Sequence, residues 1–184
     1  MSDQDLIEAL AVPHRVRAAY QRMLQRGAAL LPLVRANLRH PSASVREYCC
    51  KFLDHYADED AFRELIAMLD DPDPKVRASG LHALACDRCK EGACRPDEAL
   101  VLPRASRLLA SDPDAHVRAH AVGVVGLSVH TRREAKAALV DAAQDDPSPM
   151  VRKKAKWYLP GGPIHRRTAP RPPRRPRPAD QPAI

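Results

Sequence analysis

The chain has 184 residues, 4% of them aromatic, and a formal net charge of +7. That charge is unevenly placed: residues 1–159 hold 24 Lys/Arg against 22 Asp/Glu, whereas residues 160–184 hold six Arg and one Asp. Such a near-neutral, aromatic-poor body argues against a β-sandwich and against nucleic-acid binding by the body itself.

No stretch approaches the roughly 20 apolar residues of a membrane span, and the acidic start Met1-Ser2-Asp3-Gln4-Asp5 precedes no long apolar run. The expected location is cytoplasmic. Five cysteines, an odd number, in such a chain read as reduced thiols or metal ligands, not a disulfide framework.

In chain order, Leu6 to Leu10 predicts a short first helix, and Pro13 to Gln25 a second that Gly27 would cap. Ala28 to Leu38 follows, with Pro32 in its first turns. Pro103 stands in the same register before Leu109 as Pro32 before Leu38, which predicts a repeated bend or first-turn position. Further helices are expected at 43–57, 60–70, 74–86, 98–110, 115–128, 131–144 and 149–159. Val45, Tyr48, Cys49, Phe52, Leu53 and Tyr56 fit the i, i+3, i+4, i+7 template of one apolar face.

The corners between these helices repeat. His40-Pro41-Ser42-Ala43-Ser44-Val45-Arg46 and Asp71-Pro72-Asp73-Pro74-Lys75-Val76-Arg77 share one pattern. So do Asp112-Pro113-Asp114-Ala115-His116-Val117-Arg118 and Asp146-Pro147-Ser148-Pro149-Met150-Val151-Arg152, and Pro13-His14-Arg15-Val16-Arg17 is a reduced first copy. Proline ends the incoming helix. Ser42, Asp73, Asp114 or Ser148 then offers an N-cap, and Pro74 or Pro149 suits the first helical position.

Arg77, Arg118 and Arg152 are expected to reach back six residues to Asp71, Asp112 and Asp146 and bridge the turn. An exposed pair would contribute at most about 1 kcal/mol; recurrence at one register predicts a partly buried ladder, weakest where His40 replaces the acid. Recurrence at this spacing marks a repeat array, each unit burying a face against its neighbours.

Successive corner arginines lie 31, 41 and 34 residues apart, and the excess in the middle interval falls at 86–96. That insertion carries Cys86, Cys89 and Cys94, with His82 one helical turn before Cys86. One reading is a closed, structural His-Cys₃ zinc site; others are unligated thiols beside a surface His82, or a redox-switchable Cys86–Cys89 pair. Cys49 falls in the core register and reads as a small hydrophobe.

Residues 160–184, with eight prolines, predict a disordered tail of polyproline II character. The tail could touch phosphates of a nucleic acid, offer a proline-rich ligand, or be simply solvated; no aromatic residue is interleaved for base stacking. Trp157 and Tyr158 read as an end cap or a binding hot spot.

Paired helices with Asp-Pro at the corner, Val-Arg opening the second helix and proline in the first resemble HEAT repeats over about residues 13–159. The short period is similar to the type also found in phycobilisome-lyase-related proteins. The resemblance implies an all-α, right-handed solenoid of about four to five HEAT-like helix pairs, a repeat domain at 1–159, second helices on its inner side, and a scaffold or adaptor role toward a protein partner. It implies no reaction. None of the eight histidines precedes Glu, as the iron-binding HEAT hydroxylases require, and no Gly-rich phosphate loop, Gly-x-Ser-x-Gly or His-Glu-x-x-His occurs.

Overall fold

Proline corners and helical apolar spacing leave the chain one way to bury its surface, as antiparallel helix pairs stacked side by side. The computed structural model describes residues 1–56, 58–85 and 96–170. Helices α1 (Asp3–Ala9) and α2 (Val16–Arg26) form the first pair, and α3 (Leu31–Ala36) and α4 (Ala43–Tyr56) the second. The remaining pairs are α5 (Glu59–Ala67) with α6 (Pro74–Ala85), α7 (Glu98–Ser111) with α8 (Ala115–Leu127), and α9 (Arg133–Asp145) with α10 (Pro149–Tyr158). No strand occurs among the described residues.

The second helices pack in succession, α2 on α4, α4 on α6, α6 on α8 and α8 on α10, while each first helix lies against its own partner. The result is a two-layered all-α solenoid. Its core repeats with the sequence. Val45, Val76, Val117 and Val151, third from each helix start, are all fully buried, as are Cys49, Ala121 and Ala155 one turn later. Burial pushes the Cys49 thiol up to about 12 and raises that of Cys50 as well, so both behave as small apolar groups.

Local signals set the ends. Ser2 accepts from the Asp5 amide while Asp5 accepts from the Ser2 amide, a capping box that starts α1 three residues before Leu6. Asp114 accepts from the amides of His116 and Val117, and Asp73 from that of Lys75; Ser148 makes no such bond. The two register-matched prolines find different solutions. Pro32 is in the first turn of α3, behind a 3₁₀ turn at Gly27–Leu30, whereas Pro103 lies inside α7.

The end of the stack extends past the expected boundary at 159. Gly161, at φ 87°, takes the left-handed conformation that turns the chain, and α11 (Pro163–Thr168) packs on α10. The expectation of a disordered tail at 160–184 is thus corrected for 163–168, where Pro163 opens a helix turn; residues 171–184 lie outside the described residues.

Candidate functional site

The corner residues come together, but their pairing differs from the sequence expectation. Arg77 does reach back six residues, yet it meets backbone there: Nη1 donates to the carbonyls of Asp71 (2.8 Å) and Pro72 (3.0 Å). Its Nε and Nη2 instead form a two-pronged pair with the Asp112 carboxylate of the next repeat, at 2.8 and 3.0 Å. Arg118 repeats this with the Asp112 carbonyl behind it and the Asp146 carboxylate ahead, and Arg46 with the His40 carbonyl and Asp71. The ladder therefore ties successive repeats together instead of bridging single turns. A guanidinium fork has the geometry to serve both, with one nitrogen on the carbonyls and the opposite edge on the carboxylate.

Each ladder aspartate also organises its own turn. Oδ1 of Asp71, Asp112 and Asp146 accepts from the amide two residues on, at 2.9, 2.9 and 2.8 Å. All three are buried, as is Arg118. Hydrogen bonding to Asp71, Asp112 and Asp146 raises the pKa of Arg46, Arg77 and Arg118 respectively. Burial pushes Asp146 upward, but its bonds with Arg118 and the Ser148 amide outweigh that and leave its carboxyl below the ordinary value. Its contribution to stability is thus present above the usual carboxylate range and lost as pH falls through it.

The two ends of the ladder are incomplete. His40 Nδ1 accepts from the Ser42 amide at 3.0 Å, mimicking the aspartate's turn, but an imidazole there offers no carboxylate to the repeat before it. At the far end, Arg152 donates to the carbonyls of Asp146 and Pro147, and its guanidinium forms no ion pair among the described residues.

A second constellation lies across the exposed face of the second helices. A groove of about 360 Å³ is lined by Glu47 and Lys51 of α4, Lys75, Ser79 and His82 of α6, and His116 and His120 of α8. The ring of His120 stands edge-on to those of His116 (4.8 Å) and His82 (5.8 Å). Lys51 is neutralised by Glu47 at 2.6 Å and His82 faces Asp54 at 3.5 Å. Lys75, His116, His120 and Lys154 form no ion pair with an acid among the described residues. Burial, then Lys154, His116 and His82, push the His120 imidazole down to about 4; burial also lowers Lys154. The i, i+4 pair His116/His120 was visible in the sequence, but its convergence with His82 requires α6 and α8 to stack.

His82 is about half-exposed, at the surface. Cys86, Cys89 and Cys94, its expected co-ligands for zinc, lie outside the described residues. Among the described residues no group of three or more His, Cys, Asp or Glu is placed to hold a metal ion. Of the end-cap pair, Tyr158 lays its ring on Gly126, where a Cβ would fall 2.1 Å from a ring carbon; Trp157 stays 38% exposed.

The family model for HEAT repeats matches residues 4–85 and again residues 27–102, more than half of the chain. The chain belongs to the HEAT repeat family. No curated protein and no solved structure matches it. The matched span covers the first three helix pairs of this HEAT-repeat chain and the beginning of α7, and the same corner geometry continues beyond it to Arg118 and Asp146. Among the described residues no helix is long and apolar enough to cross a membrane.

Proposed function

We propose that this HEAT-repeat protein is a non-catalytic scaffold or adaptor of the cytoplasm that binds an acidic segment of a protein partner along its second-helix face. The supporting observation is the groove across α4, α6 and α8: its acid, Glu47, already faces Lys51, and the buried Asp54 faces His82, while Lys75, His116 and His120, with Lys154 nearby, form no ion pair among the described residues. Exposed Lys75 and half-buried Lys154 both gain from an incoming carboxylate, which for Lys154 returns the charge stabilisation that burial removed. Clefts of one sign also concentrate oppositely charged partners.

In the same reading, zinc held by His82 with Cys86, Cys89 and Cys94 would clip the 86–96 insertion beside this face. Asp54, facing the His82 ring, fits the carboxylate that orients a metal-bound imidazole. A nucleic-acid partner would use the basic tail instead and leave the groove empty.

Cross-linking of partners captured by the full chain tests the proposal. It predicts links to α4, α6 and α8, with capture abolished by Lys75→Glu combined with Lys154→Glu. Links confined to residues 160–184, unaffected by those substitutions, would contradict it.

A further inference from the structure

The interior corners are three copies of one built site, and the fourth has no carboxylate on it among the described residues. At Arg46, Arg77 and Arg118 the same nitrogen is pinned by two carbonyls of its own corner, and the opposite edge takes an aspartate at 2.7–3.0 Å. Arg152 is pinned by the equivalent carbonyls of Asp146 and Pro147. Its remaining edge therefore has the orientation that receives a carboxylate in the other three, at the last of these corners among the described residues.

The chain does not supply that carboxylate in register. In the three preceding first helices, α5, α7 and α9, the ladder acid comes 12, 14 and 13 residues after the helix start, from Glu59 to Asp71, Glu98 to Asp112 and Arg133 to Asp146. Counting equally from Pro163, the start of α11, reaches Arg175, Arg177 and Pro176. From Pro147 to Pro170 the sequence holds six Lys/Arg and no Asp or Glu, so the segment that carries Arg152 is cationic, with Lys153 and Lys156 exposed beside it.

A second copy of the chain does not supply it either. The residue before its first corner proline is Val12, the next is His40, and its three ladder aspartates are buried and already paired. A matching acid at the first corner would let copies join head to tail without closure; its absence leaves the end to a different protein.

We infer that Arg152 is a docking site for the carboxylate of a partner protein, an aspartate standing at a helix corner as Asp71, Asp112 and Asp146 do. The inference rests on reading the chain as an interaction module, but it uses a surface separate from the second-helix groove. The partner's aspartate completes the ladder by one rung and extends the stack across two chains.

The test uses a fluorescein-labelled peptide copying residues 133–151, the segment whose Asp146 occupies Arg118, titrated with the full-length chain and followed by anisotropy. Saturable binding is expected, weakened at least about tenfold by Arg152→Gln or by Asp146→Asn in the peptide. Arg152→Lys, which keeps the charge and loses the fork, should fall between, and thermal melting of the variants should match the parent. No saturation up to about 1 mM, or equal binding by Arg152→Gln, overturns the inference. Binding lost in Lys75→Glu but kept in Arg152→Gln would also overturn it while supporting the groove. Binding seen only after Asp180→Asn would make the chain's own tail the occupant, and overturn it as well.

Discussion

The interior corners and the terminal corners of this solenoid share a motif and differ in what completes it. At Arg77 and Arg118 a guanidinium locks two repeats together; at Arg152 the same side chain is held, among the described residues, by its own corner alone. His40 makes the converse substitution, keeping the turn and giving up the inter-repeat rung. The difference shows that the motif encodes two separable functions. The proline, the N-cap and the residue two before it shape a corner from local bonds, whereas the arginine acts across the repeat boundary.

The largest expected effect follows from this separation. Arg118→Ala leaves the buried Asp146 without its partner and should cost roughly 3 kcal/mol in chemical denaturation. Arg152→Ala, made at the open end, should cost no more than about 1 kcal/mol. Equal losses at the two positions would erase the distinction between interior and end.

A smaller effect distinguishes the groove from the ladder. His120 has a folded-state pKa near 4, below its ordinary value, so between about pH 6.5 and pH 4 the unfolded chain takes up a proton that the folded one refuses. Stability is complete above that window and declines as pH falls through it. His120→Gln should flatten the decline in melting temperature between those limits and leave stability at pH 8 nearly unchanged. An identical pH profile in the variant would remove His120 from the account.

Much of the fold was legible in the sequence because its strongest signals are local. Pro41, Pro72, Pro113 and Pro147 end helices whatever the tertiary context, and the buried valine that follows each fixes the face. The identity of the ladder residues was legible for the same reason. Their partners were not: Arg77 stands six residues after one aspartate and one repeat before another, and only the stacking of α6 on α8 decides between them. Pro32 and Pro103 teach the same point, since identical register gave a first-turn position in α3 and an interior one in α7. Helix α11 escaped notice because six polar-rich residues carry no apolar period; their packing on α10 is tertiary. The groove was the least legible part, since it joins residues of three helices whose relative rotation no single-helix pattern contains.

The central claim, that the ladder joins repeats, is tested most directly by double-mutant cycles at Arg77. Chemical denaturation of Arg77→Ala, Asp112→Ala and the double variant should give a coupling on the order of 2 kcal/mol. The parallel cycle of Arg77 with Asp71 should give a coupling within about 0.5 kcal/mol of zero, because Arg77 takes the Asp71 carbonyl, which alanine retains. A large coupling to Asp71 with none to Asp112 would return the ladder to single turns and contradict the account.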